Sequence, residues 1–141
     1  LVNGANIISY ADSAVVSNEI ILTKSITPIR KKLSFPKSNF NSVTAGVKYI
    51  SCNNKNILLV HGFPKLDVST QKLNVDVLIV TRTSSQHLHD ILKKVSAKTI
   101  VIAAFDSRNE QKKCKTYATM HSLNYFDVQD NGAFYCNVLS D

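Results

Sequence analysis

His87-Leu88-His89-Asp90 comes nearer than any other stretch of this chain to a reactive constellation. It repeats part of a His-x-His-x-Asp-His motif, whose imidazole and carboxylate donors suit zinc or manganese. Two features argue against a shared ion. Asp90 stands one residue early for the motif, and Leu88, Ile91, Leu92 and Val95 follow at i, i+3, i+4 and i+7, the spacing of an amphipathic helix. On a helix, side chains two positions apart point about 200° away from each other. His87 and His89 would therefore flank the apolar stripe on opposite sides, whereas paired helical ligands stand at i and i+4. No metal site is expected.

His61-Gly62 ends the apolar run Ile57-Leu-Leu-Val60, where functional loops often begin; a hydrogen-bonded loop histidine is the plainer role. Asp67, Asp76 and Asp106 lie near strand ends, where a carboxylate could hold a cation, although Asp106 precedes Ser107 and is better placed to start a helix. The three cysteines, Cys52, Cys114 and Cys136, are widely spaced and form no Cys-x-x-Cys pair. Each falls in an apolar pattern, where a thiol packs as a small hydrophobe. The four glycines (4, 46, 62 and 132) allow neither a Gly-x-Gly-x-x-Gly loop nor a P-loop, and Ser84 and Ser85 lack a Gly-x-Ser-x-Gly elbow. No catalytic residue and no cofactor is expected.

The elements that position these residues can be read from the pattern. Val75–Val80 is a β-branched run of the kind buried in parallel sheets, and Lys98–Ala104 is a second. The helix of Leu88 and Ile91 lies between them. Ser107-Arg-Asn-Glu110 reads as a capping box, opening a helix whose stripe is Cys114, Tyr117, Ala118 and His121. Strands joined by such crossovers form right-handed units. Upstream, Ala5–Tyr10 and Ala14–Val16 read as a hairpin across Ala11-Asp12-Ser13. Ser17 could cap a helix with Leu22, Ile26, Ile29 and Leu33 on one face, kinked by Pro28, and Phe35–Ser42 reads as a loop. Val43, Ala45, Val47 and Tyr49 alternate as in an antiparallel strand, which turns at Cys52–Asn56 into Ile57–Val60. Tyr125–Val128 and Ala133–Val138 read as a last hairpin, with Asn131-Gly132 in its turn. The expectation is one α/β domain over residues 1–141: a parallel βαβ centre with antiparallel hairpins at both ends.

Charge is unevenly distributed. The net charge is +7, yet no acidic residue occurs between Ile20 and Leu66, where Lys24, Arg30, Lys31, Lys32, Lys37, Lys48, Lys55 and Lys65 stand. Such asymmetry can mark a footprint for nucleic acid or anionic lipid. A solvated lysine-rich face gives the same counts, and the aromatics read among these charges are few: Phe35, Phe40 and Tyr49. No apolar run approaches the roughly 18 residues that span a bilayer. The opening Leu-Val-Asn-Gly has no initiator Met and no signal-peptide pattern, which suggests a fragment of a longer protein.

Leu-Asn-Val-Asp-Val-Leu-Ile-Val (73–80) and Asp-Ser-Arg-Asn (106–109), in this order of elements, give the chain a family resemblance. It resembles the C-terminal soluble region of ComEC-family competence proteins of the Bacteroidetes type, most clearly from Lys55 to Val138. The resemblance implies a reduced metallo-β-lactamase-like half. It also implies a parent in the cell membrane, whose transmembrane channel for DNA uptake belongs to the same polypeptide. Active relatives place His-His-Gly-Ser directly after the strand matching Val75–Val80. Here that position reads Arg82-Thr83-Ser84-Ser85. Arg offers no lone pair and Thr only a weak one, so neither replaces an imidazole ligand. The expected function is therefore a non-catalytic accessory domain that contacts DNA without sequence preference, or contacts other competence components. Arg30, Lys31, Lys32 and Lys37 would line the DNA surface, with Arg82 at its border. Two alternatives stay open: a divergent metal-dependent phosphodiesterase or nuclease, and a purely structural domain of the channel.

Overall fold

The computed structural model describes residues 2–3, 6–7, 9–12, 20, 40–43, 46–52, 54–66, 71–83, 85–103, 105 and 107–134. The chain divides into two compact units, Leu1–Thr44 and Ala45–Asp141. In the first, β1 (Val2–Asn3) pairs antiparallel with β2 (Asn6–Ile7), and β3 (Ser9–Asp12) pairs parallel with β4 (Phe40–Val43). This corrects two expectations. Ala11-Asp12 continues a strand instead of turning, and Phe40–Ser42 is a strand instead of a loop. The partner of β3 is remote in sequence, so local turn chemistry carried no sign of it. Of the helix expected after Ser17 only Ile20 is described; the rest, with Ala14–Val16, lies outside the described residues.

The second unit holds a five-stranded sheet in the order β5 (Gly46–Cys52), β6 (Lys55–His61), β7 (Leu73–Thr81), β8 (Val95–Ile102), β9 (Tyr125–Asp127). β5 and β6 form the expected antiparallel hairpin, although Val43, read into its first strand, belongs to β4; in its tight turn Asn54 takes φ +59°, a left-handed conformation that Asn tolerates. The other neighbours, β6 with β7, β7 with β8 and β8 with β9, are parallel. Helix α1 (Ser85–Lys94) joins β7 to β8, α2 (Arg108–Met120) joins β8 to β9, and α3 (Val128–Asn131) follows. Strands added one after another in one direction by right-handed crossovers place their helices on the same face. Accordingly α1 packs on α2, and both pack on β8.

Side chains alternate across the sheet with period two. Leu58, Val60, Leu78, Val80, Ile100 and Ile102 turn toward the helices, where Leu88, Ile91 and Cys114 meet them. Ile57, Val77 and Val101 turn the other way and are covered by Ile50, Ile79, Val128 and Phe134. Parallel strands buried on both faces give the continuous apolar runs seen in β6, β7 and β8. At the amino ends, Asp76 links three strands: Oδ2 accepts the Asn56 N–H at 2.8 Å, and Oδ1 lies 2.7 Å from Lys98 Nζ. Both partners hold its carboxyl below the usual range, the Asn56 amide most of all.

Three further expectations change. Val95 opens β8 instead of ending the helical stripe, because it pairs with Leu73 while staying buried in the same core. The Ser107–Glu110 capping box does not form: Ser107 precedes α2 in extended conformation without a side-chain cap, and Glu110 reaches toward α1. The Asn131-Gly132 hairpin gives way to α3, because Asp127 accepts the Gln129 N–H at 2.8 Å and caps a helical turn there. Ala133 and Phe134 are not in a strand, and residues 135–141 lie outside the described ones. At the end of α2, the Leu123 and Ser122 amides donate to the Ala118 and Thr119 carbonyls, with Ser122 at φ +52°. This is a Schellman closure made without glycine.

Ile91 is 1 % exposed. Replacing it with Ala should lower unfolding free energy by about 2–5 kcal/mol in urea titrations, whereas Lys93→Ala on the outer face should change it by under about 0.5 kcal/mol. The depressed Asp76 carboxyl contributes stability that is present above its unfolded value, near 4, and is lost as pH falls through the lower folded value. The stability of Asp76→Asn should therefore fall less steeply on acidification below pH ~4 than that of the parent chain.

Candidate functional site

Because β6 to β9 run parallel, their carboxyl ends, His61, Thr81, Ile102 and Asp127, share one edge. Open α/β sheets bind their ligands along this edge. His61 is buried, and its Nδ1 lies 2.5 Å from Thr81 Oγ1, so the ring is tied to the neighbouring strand. Gly62, at φ +75°, follows and donates its N–H to the Thr81 carbonyl at 3.0 Å. His61 is thus hydrogen-bonded as the pattern allowed, but as the last residue of β6 and not within the loop.

The next loop carries Arg82 and Thr83. Arg82 is exposed and sits at φ +49°. A non-glycine residue there costs about 1–2 kcal/mol, and strain of this kind gathers at functional loops. Thr83 is only 3 % exposed. Ser85 begins α1, and its N–H points to Glu110 Oε2 of α2 at 3.4 Å, while Glu110 Oε1 lies 2.7 Å from Lys113 Nζ. Lys113 first, and the Ser85 amide after it, hold the Glu110 carboxyl below its ordinary range.

The two histidines of α1 diverge. His89 Nδ1 is hydrogen-bonded to Tyr117 Oη at 2.7 Å, and the Tyr117 ring meets that of His121 at a tilt of 43° with centroids 4.4 Å apart. His87 turns to the other flank, its ring 5.4 Å from that of Phe63. Burial holds the His87 imidazole below its ordinary value. The helix thus separates the pair as the spacing requires. Among the described residues no group of three His, Cys, Asp or Glu side chains could hold a metal ion.

Sequence reasoning missed Asp127, the most buried charged group in the described chain at 1 % exposure. Its Oδ1 accepts from Gln111 Nε2 and from the Gln129 amide, both at 2.8 Å, and Oδ2 lies 3.1 Å from Lys115 Nζ. Lys115 also pairs with Asp130, and the two carboxylates raise its ammonium group above the usual range. An Asp at a strand end two residues before an amide to be capped was the available signal. Phe63 was missed as well. It lies in the acid-free window of the sequence and is 65 % exposed beside His87. Cys114 is fully buried, and its thiol is pushed up to about 12, chiefly by burial. It packs as the hydrophobe that the pattern implied.

Of the residues expected to meet DNA, Arg82 stands exposed at the carboxyl edge. Arg30, Lys31, Lys32 and Lys37 lie outside the described residues, as do Asp67, Asp106, Ser84 and Cys136. Asp76 is committed to Asn56 and Lys98 at the opposite edge.

These features define an open α/β domain with mixed parallel and antiparallel strands and a carboxyl edge held together by internal hydrogen bonds. Residues 1–138 match the ComEC C-terminal domain, and the chain belongs to that family. Neither a curated protein nor a solved structure matches it. No helix among the described residues is long and apolar enough to cross a membrane.

Asp127→Ala would leave Gln111 and the Gln129 amide without their acceptor. It should cost about 1–3 kcal/mol of stability, measured by urea denaturation, and should loosen α3, measured as faster amide exchange at Gln129.

Proposed function

We propose that this chain is a non-catalytic accessory domain of a ComEC-like DNA-uptake protein, acting as one domain over residues 1–141 and contacting DNA through basic side chains. The observation that carries this reading is the end of β7. Where active relatives place two imidazole ligands, this chain has an exposed Arg82 in strained conformation and a buried Thr83. An exposed guanidinium suits a phosphate and cannot ligate a cation. The nearby groups of a kind that serves a metal are engaged with the protein: His61 with Thr81, and Glu110 with Lys113 and the Ser85 amide. The scaffold is then a reduced metallo-β-lactamase-like half that keeps its strand–helix units without the hydrolase ligands.

Family membership over 1–138 supports the link to DNA uptake, with the parent in the cell membrane and its channel in the same polypeptide. The excess positive charge of 20–66 supports DNA as a direct contact. In this reading Arg30, Lys31, Lys32, Lys37 and Arg82 supply the phosphate contacts.

DNA binding should be weak, at ~10⁻⁴ to 10⁻⁶ M near physiological salt, and should not depend on sequence. Three or four phosphate contacts give a log–log salt slope of about −2 to −4. Exchanging Arg30, Lys31 and Lys32 together for Gln should reduce the slope and weaken binding without unfolding the domain, since solvated charges add little stability. Flat titrations with single- and double-stranded DNA at low salt would leave a purely structural role in front. Near-stoichiometric zinc or manganese in purified protein, with nuclease activity, would favour the phosphodiesterase reading instead.

A further inference from the structure

Phe63 is a large apolar side chain that the fold leaves 65 % exposed, although it stands directly beside the sheet. The segment 62–66 that carries it is tied at two points. The Gly62 amide donates to the Thr81 carbonyl at 3.0 Å, and Lys94 Nζ donates to the Leu66 carbonyl. Pro64 restricts the backbone between them. On one side the Phe63 ring meets His87, with an interplanar angle of 56°. Burial holds that imidazole below its ordinary value, and its ring backs Phe63 on this side. A ring held in place and still open to solvent loses little conformational freedom when something stacks on it.

His87, which meets that ring, and Pro64, which follows it, also line a cleft of about 330 Å³ together with Leu66 and Ile91. Its charged lining is Lys65, Lys93 and Lys94 against Asp90 alone, an excess of two positive charges. The Lys93–Asp90 pair is exposed on both sides, at 61 % and 52 %. Such a pair contributes little, so an incoming phosphate can compete for Lys93.

An exposed aromatic face next to a cationic cleft is the combination that binds single-stranded nucleic acid: bases stack on the ring while phosphates follow the cations. A duplex hides its base faces and cannot use the ring. A lipid surface would need a broader apolar patch than one ring. We propose that Phe63 is a base-stacking residue and that the cleft of Lys65 and Lys93 takes the adjoining phosphates, giving this domain a preference for single-stranded over double-stranded DNA. The proposal rests on the DNA-contact reading and adds to it a site and a strand form.

The test compares the whole chain with Phe63→Ala and Phe63→Leu in fluorescence anisotropy titrations at one salt concentration. The probes are a labelled oligo-dT and a duplex of equal length. Both variants should bind oligo-dT about 5- to 100-fold more weakly, with duplex affinity unchanged within about twofold and circular dichroism preserved. The emission of a Phe63→Trp variant should be quenched by oligo-dT and not by the duplex. If the parent chain binds DNA but the variants lose nothing, or lose equally on both probes, stacking is wrong and the DNA-contact reading stands. If the parent chain binds neither probe, both readings fall. Phe63-dependent sedimentation with phosphatidylserine vesicles, without oligo-dT binding, would overturn the proposal in favour of a lipid surface.

Discussion

Parallel strands cannot turn directly into one another, so each strand added to such a sheet brings a crossover that must be packed somewhere. In this domain β6 through β9 are added in one direction, and most of the architecture derives from that constraint. It places α1 and α2 together on one face, and that face gathers the larger core around Leu78, Val80, Leu88 and Ile100. On the opposite face the smaller cluster of Ile57, Val77 and Val101 meets residues after β9, where Phe126 and Phe134 bring their rings to 5.2 Å. The same constraint also collects every loop that follows a parallel strand at one edge.

The two edges of the sheet differ in consequence. At the amino edge a single ion pair and an amide fasten β6, β7 and β8 through Asp76. At the carboxyl edge the polar groups form a row: His61 with Thr81, Glu110 with Lys113 and Ser85, and Asp127 with Gln111, Gln129 and Lys115. These polar groups are engaged with the protein itself and hold the loops of this edge in place. Among the described residues, Phe63, Arg82 and Arg108 are large side chains of this edge that are exposed.

How much of this was legible in the sequence depended on the range of the interaction involved. β7, β8 and the helix between them follow from runs of apolar residues and their period, which short windows record. The separation of His87 from His89 was legible for the same reason. The length of α1 was not, because Val95 is apolar in either reading and only its pairing with Leu73 decides that it is strand. The parallel pairing of β3 with β4 joins residues far apart in sequence. Asp127 stayed hidden because its partners on α2 come near only after the crossover closes, and Phe63 because exposure belongs to the fold and not to the residue. The capping box failed for a related reason. Ser-x-x-Glu spacing is a local signal, and Glu110 found a partner on another helix.

That displaced carboxylate has a mechanical consequence. Glu110 belongs to α2, yet it faces the first amide of α1, so the starts of two successive crossovers share one anchor. A βα unit is usually free to tilt on its own strand. Here the Ser85 amide and Lys113 share the two oxygens of one carboxylate. Glu110 thus couples the first turns of α1 and α2, a tie between two crossovers that neither helix makes with its own strand.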